Sequence, residues 1–260
     1  MSSITKTHLI IPDSHAHPDH KNTRADWLGK LIYDIKPDVL VHIGDAADMA
    51  SLSSYDKGKA SFHGRNYASD IESHLDFQER MWYPITKAKK KKPRTVFIEG
   101  NHEHRIKRLL EEEPHLSGHK YGVSFKDLEL NKYYSEVVEY DGAVPGIINV
   151  DGIDYSHYFA SGISGRPLQS IHHAFDLTKK RFTSSTCGHS HLFDYSISKD
   201  SSGRERMGLV VGCFQDYKPL WAGGVASYWQ SGVVIKRGVE GGRYDLQHIS
   251  IGRLQNMYAV

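Results

Sequence analysis

The stretch DVLVHIGDAAD, Asp38 to Asp48, decides the fold. Val39 to Ile43 is a short apolar run of the kind found in strands covered on both faces. It stops at Gly44 and delivers two carboxylates, Asp45 and Asp48. Upstream, the β-type run Thr7 to Pro12 ends in the same manner, at Asp13-Ser14-His15. Between the two runs, Asn22 to Ile35 places Trp27, Leu28, Leu31, Ile32 and Ile35 at helical spacing, and Pro37 closes that helix. Strand, helix, strand in this order is a βαβ unit with a right-handed crossover.

Downstream, residues 49–66 are polar and Gly/Ser-rich and read as a loop. A long helix is predicted from about Tyr67 to Lys89, a strand from Arg94 to Glu99, and a helix from Glu103 to Glu112. Residues 113–135 carry a weaker signal, a turn or two of helix between Phe125 and Asn131. The character then changes. Ile147 to Val150 and Ile153 to Tyr158 flank an Asp151-Gly152 turn, a hairpin signal. A helix is predicted over 168–180. Leu192 to Ser198 and Met207 to Cys213 flank Ser202-Gly203, and Ser227 to Lys236 and Tyr244 to Ile251 flank Gly241-Gly242. A βαβ-like first half and a hairpin-rich second half predict an α/β domain over 1–260, two stacked mixed sheets flanked by helices, with a helical and loop insertion at about 49–93.

The 260 residues are 39% hydrophobic and 25% charged, which suits a soluble globular chain. No run approaches the roughly 18 apolar residues of a membrane span, and Met1 to Lys6 lacks the charged-then-apolar pattern of a signal segment. A cytoplasmic protein is expected. A formal charge of +2 does not demand a nucleic-acid partner. Cys187 and Cys213 lie in apolar strand-like runs and read as buried reduced thiols.

Five clusters carry the chemistry: Asp13-Ser14-His15, Gly44-Asp45-Ala46-Ala47-Asp48, Gly100-Asn101-His102-Glu103, His157, and Gly188-His189-Ser190-His191. Each follows a β-type run, and open α/β sheets bind ligands beyond the carboxyl ends of their strands. Carboxylate, amide oxygen and imidazole together suit divalent Mn, Fe, Zn and similar ions. DxH and GDxxD are weak signals alone; it is the five in this order that point to a metal site. The chain has 17 histidines, and most need no such role: His172 and His173 on the helical run, and His115, His119 and His248, read as surface or packed residues. His17 and His20 lie just behind His15 as loop histidines within reach of the rim. Glu103 reads as support for a helix N-terminus, where negative charge is favoured.

This order of motifs resembles the calcineurin-like metallophosphoesterase superfamily, whose pattern is DxH, GDxxD, GNH(D/E), H and GHxH. The resemblance spans Asp13 to His191 with every motif intact. It implies a four-layer αββα sandwich of two mixed sheets flanked by helices. It also implies two divalent metal ions, with Mn²⁺ foremost and Fe, Zn, Ni or Mg as alternatives. One would be held by Asp13, His15, Asp45 and His191, the other by Asp45, Asn101, His157 and His189, with Asp45 between them. His102 would be the catalytic histidine, oriented by Asp48, and a hydroxide bridging the metals would attack phosphorus in line with the leaving oxygen. Arg105 and His17 are candidates for substrate phosphate.

The expected substrate is a phosphate ester. Protein phosphatases of this superfamily carry Arg-Gly after GDxxD, whereas Met49-Ala50 follow Asp48 here, so a phosphodiester of DNA or a nucleotide comes first. A phosphomonoesterase for a small metabolite or phosphoprotein is the alternative, and a noncatalytic metal-binding scaffold comes last. Lys87 to Arg94 holds six basic residues in eight and reads as a solvated helix end or a phosphate contact. Tyr55, Phe62, Tyr67, Phe77, Trp82 and Tyr83, with Lys57, Lys59 and Arg65, would either stack bases or pack as a helical cap. Lys218 to Tyr228 is expected to wall the cleft. No protein partner or membrane contact is legible.

Overall fold

Four parallel strands begin one sheet: β1 (Lys6–Ile11), β2 (Val39–His42), β3 (Arg94–Ile98) and β4 (Glu136–Val138). The computed structural model describes residues 5–117 and 122–259, so His119 lies outside the described residues. Between the strands run α1 (Thr23–Ile35), α2 (Tyr67–Lys87), α3 (His104–Glu112) and the short α4 (Leu130–Tyr133). The second sheet is built from β5 (Ile148–Val150), β6 (Ile153–Tyr155), β7 (Ser184–Cys187), β8 (Phe193–Lys199) and β9 (Glu205–Val211), with α5 (His173–Lys180) before β7. The chain then returns to the first sheet as β10 (Gly232–Glu240) and β11 (Arg243–Ser250) and closes with α6 (Ile251–Tyr258).

The sheet orders are β11-β10-β1-β2-β3-β4 and β5-β6-β7-β9-β8. Strand alternation explains the layers. On β1, Ile10 points to the second sheet and joins Val41, Ile43, Val96 and Ile98 against Ile153, Tyr155, Leu209 and Val211. Its neighbours Leu9 and Ile11 point the other way and pack with Leu28 and Leu31 of α1, Phe77 and Met81 of α2, and Leu254 of α6. On the far side, Ala174 and Leu177 of α5 cover Cys187 and Val210. Helix, sheet, sheet, helix is the result. Cys187 and Cys213 are both buried free thiols, and among the described residues no helix is long and apolar enough to cross a membrane.

Several predicted boundaries move for local reasons. The helix expected over 168–180 starts at His173, because the Leu168 amide donates to the Phe159 carbonyl at 2.8 Å and its side chain joins the apolar cluster under α5. The strand expected from Ser227 starts at Gly232, since Leu220–Tyr228 is 3-10 structure kinked at Gly223. β4 and α6 had no distinct signal. Residues 49–93 comprise two 3-10 turns, Ala50–Leu52 and Ala60–Phe62, and then α2, which packs beside α1 in the outer layer.

The seam between the sheets also holds a fully buried cation-forming group. Lys236 of β10 bonds Tyr155 Oη at 3.3 Å and Thr186 Oγ1, with the rings of Tyr155 and Tyr244 4.5 and 4.4 Å from its ammonium nitrogen. Burial holds its pKa well below the ordinary lysine value. Between the folded and unfolded values the unfolded chain binds the extra proton, so this residue destabilises the fold near neutrality and the penalty fades as pH rises. Lys236→Met is expected to raise the urea midpoint at pH 7, with a smaller gain at pH 9.5; an equal gain at both, or a loss at pH 7, would contradict the assignment.

Candidate metal centre

The carboxyl ends of β1, β2, β3, β6 and β7 open on one rim, and each delivers one of the five clusters. The loops are stitched by main chain. Ser14 and His15 amides both donate to the Asp45 carbonyl, at 3.0 and 2.9 Å, and the Gly188 amide donates to the His157 carbonyl at 3.0 Å. Close approach sets the residue type at two points. A Cβ at Gly100 would collide with Asp45 Oδ1, and one at Gly188 would collide with Asp13 Oδ1.

Among the described residues three groups of side chains converge; one is His15, Asp48 and His102, and the other two consist wholly of candidate metal ligands. Asp13, His15 and His191 bring one ligand atom each within 4.8 Å of one another, and so do Asp45, His157 and His189. Asn101 Oδ1 completes the second group, 2.9 Å from His157 Nε2 and 2.8 Å from His189 Nδ1. Asp45 Oδ2 sits between the groups, 3.3 Å from His157 Nε2 and 3.8 Å from His15 Nε2. Every metal-ligating candidate from the sequence is therefore brought together.

The donor chemistry fits divalent cations. His15 Nε2 and His191 Nε2 lie 3.1 Å apart, and Asp13 Oδ1 is buried with no hydrogen-bond partner. Neighbours orient the rings: His157 Nδ1–H donates to the Ile43 carbonyl (3.1 Å) and His15 Nδ1–H to Asp48 Oδ1 (2.9 Å), which leaves both Nε2 atoms turned to the centre. The local field is strongly negative: although burial opposes protonation, Asp45 and Asp13 push the His157 pKa up to about 9. Burial, aided by His157, pushes His189 down to about 4.

Backbone strain concentrates here. His15, Asp45, His189 and His191 all adopt left-handed φ, between +42° and +68°. Such residues cost about 1–3 kcal/mol each and persist only when their surroundings hold them. Glu103 supplies part of that hold. It stands at the N-cap of α3, the helix N-terminus the sequence suggested, but makes no side-chain cap bond; its fully buried carboxylate accepts amides of Asp45 (3.0 Å), Ala47 (2.9 Å) and Gly100 (3.0 Å). Tethering three loop amides between two motifs takes precedence over capping because those amides are buried and have no other way to be satisfied.

His102 stands beside this centre. Its Nδ1–H donates to the main-chain carbonyl of Asp48 at 2.6 Å, closer than the Asp48 carboxylate at 3.4 Å, which is nearer to His15. Arg105 donates to the carbonyls of Asp48 and Met49 at 3.0 and 3.1 Å and brings Nη2 within 3.1 Å of His102 Nε2. His17 Nε2 lies 3.8 Å from Asp48 Oδ2. These residues and His189 line a cleft of about 1080 Å³, whose far wall carries Tyr55, Lys59 and Arg65 from the 49–66 loop. Of the wall expected over 218–228, Pro219 lines it among the described residues, preceded by Gln215 and Tyr217.

Two supports escaped the sequence reading. Arg24 is fully buried and donates to the carbonyls of Ser14 (2.8 Å) and Phe214 (3.0 Å), and Tyr217 Oη donates to the His15 carbonyl at 2.6 Å. One signal for Arg24 was available: it falls on the same face of α1 as Leu28 and Leu31, a charge in an apolar stripe. Glu103→Ala is expected to leave buried amides unpaired and to cost about 3 kcal/mol, measured by urea unfolding; a change within error would show that the tether contributes nothing.

The sequence model of the calcineurin-like phosphoesterases matches residues 7–207. None of the curated proteins matches the chain. Solved structures similar to it include the Zn²⁺-complexed Vps29 of Entamoeba histolytica, at 12% identity over 94% of this chain and 99% of that one, with a TM-score of 0.35. TT1561 of Thermus thermophilus is 10% identical over 95% and 99%, with a TM-score of 0.37. With the motif-bearing region matched from end to end, and two helix-flanked mixed sheets carrying its residues to one rim, the chain belongs to the calcineurin-like phosphoesterase family.

Proposed function

We propose that this phosphoesterase is a dinuclear enzyme, Mn²⁺-dependent in the first instance, that hydrolyses a phosphodiester of a nucleotide or DNA. The observation that supports the reading is the place of Asp45, whose Oδ2 lies 3.3 Å from His157 Nε2 and 3.8 Å from His15 Nε2 and so could serve both ligand groups. Asp13, His15, Asp45 and His191 would hold one cation, and Asp45, Asn101, His157 and His189 the other. A bound pair would supply Lewis acidity to the phosphoryl oxygens and would lower the pKa of a coordinated water.

The chain's own groups do the rest. His102 is fixed through Nδ1, so Nε2 faces the cleft. Burial and Arg105 oppose its protonation, but Asp45 and Asp48 outweigh them and raise its pKa above the ordinary value. That favours the imidazolium, which would donate its proton to the leaving oxygen. Asp48 acts on two rings, through its carbonyl on His102 and its carboxylate on His15. Arg105, already within reach of His102 Nε2, would meet the incoming phosphate, with His17 beside it.

The surroundings favour a nucleotide-sized ester or a single strand over a duplex. The basic run before β3 lies at the opposite end of that strand from the metal ligands. Within it, Lys92 packs on the Trp82 ring at 4.4 Å, and Arg94 pairs with Glu136 at 2.7 Å. Phe77 and Trp82 are core residues, so neither can stack a base. The cleft itself exceeds what a phosphate group fills.

The test is the initial rate of metal-stripped protein, resupplied with Mn²⁺, on a chromogenic phosphodiester and its matching monoester. A clear diester preference is expected, and a monoester preference would overturn the reading. Asp45→Asn should abolish turnover and His102→Ala should lower it by about 10²–10⁴-fold, with circular dichroism unchanged; full rates in both would exclude the mechanism.

A further inference from the structure

We propose that His20, backed by Tyr217 and Arg24, is a stacking platform for a flat aromatic group of the substrate, a nucleobase in particular, at the rim of the metal centre. The proposal rests on the phosphoesterase reading above and adds to it the part of the substrate that the cleft selects.

The platform has three tiers. The His20 and Tyr217 rings lie 3.6 Å apart and within 12° of parallel. The Arg24 guanidinium sits 5.5 Å from the Tyr217 centroid. Each lower tier is anchored. Arg24 is fully buried, bonded to the carbonyls of Ser14 and Phe214 and paired with Asp216 at 3.2 Å. Tyr217 is held by its Oη on the His15 carbonyl. The half-buried His20 is thus the outermost member of a stack already assembled, and binding to it requires little further ordering.

Position and chemistry agree with this role. His20 and Tyr217 line the same cleft as Asn101, His102, Arg105 and His189. His17 stands beside both the platform and the catalytic side: its ring is 5.5 Å from that of His20, and its Nε2 is 3.8 Å from Asp48. A phosphate at the metal ligands would therefore extend its sugar across His17 and bring the base over His20. Burial and the neighbouring His17 hold His20 below the ordinary histidine pKa, so at neutral pH it presents an uncharged face. Bases stack on such faces with little regard to sequence, because every base has a π-face. The platform thus selects for an aromatic base without choosing among bases.

The experiment is calorimetric binding of AMP and of ribose 5-phosphate to the Mn²⁺-loaded protein, in the wild type, His20→Ala and His20→Phe. The two ligands share the sugar phosphate and differ in the base. Wild type should favour AMP by about tenfold, the scale of one base–aromatic stack. His20→Ala should erase that ratio and His20→Phe, which keeps a flat face, should restore it. Equal affinities in the wild type, no binding of either ligand, or a ratio that survives in His20→Ala would each overturn the platform. Turnover of bis(p-nitrophenyl) phosphate by the same wild-type preparation separates the two ideas. Turnover with equal affinities would sink the platform alone, whereas an intact ratio without turnover would sink the diesterase reading and leave the platform standing.

Discussion

The carboxylate of Glu103 binds the amides of Asp45, Ala47 and Gly100, and much of the site hangs from that contact. It fuses the loops after β2 and β3 into a single unit. Asp45 can then sit in a left-handed conformation, with Oδ1 accepting the His102 amide at 2.9 Å and Oδ2 turned to the ligand rings. A second support works from the other flank, where Arg24 and Tyr217 hold the Ser14 and His15 carbonyls. Both supports act on the main chain of strained loops and not on the ligand tips. That is how left-handed residues, each costly alone, are kept in place together.

Such an arrangement separates rigidity from chemistry. The His157 ring is aimed by a group with no catalytic duty, the Ile43 carbonyl, and the His15 ring by the Asp48 carboxylate. For His15, His102 and His157, the tautomer is set by what Nδ1 touches. The cleft wall from the 49–66 loop is organised on its own terms: Asp56 takes Arg65 at 2.8 Å, Lys59 at 3.4 Å and the Ser53 hydroxyl at 3.1 Å. That wall is thus held by contacts of its own, apart from the candidate metal ligands.

The candidate ligand set stands out in the sequence because its residue types are chemically distinctive and each follows a strand. The layers were legible for a related reason, that apolar runs and helical spacing report burial directly. Supports were harder to read. Tyr217 lies 202 residues from the His15 carbonyl it bonds, and nothing local to a tyrosine announces a distant partner. The place of Glu103 at a helix N-terminus shows in the sequence, while two of the three amides its carboxylate binds come from the loop after another strand. The start of α5 was misjudged because Leu168 has the spacing of a helical residue but spends its amide on Phe159.

The candidate ligands are divided between the two sheets: Asp13, His15, Asp45 and Asn101 follow strands of the first, and His157, His189 and His191 follow strands of the second. Each ligand group draws on both. Cations held there would work as rivets across the interlayer seam, joining at its open end two sheets that apolar side chains and the Lys236 network join along their length. Affinity for the ions and cohesion between the layers are then one linked quantity, and a substitution deep in the seam, far from any phosphate, would be felt at the rim as a change in metal retention.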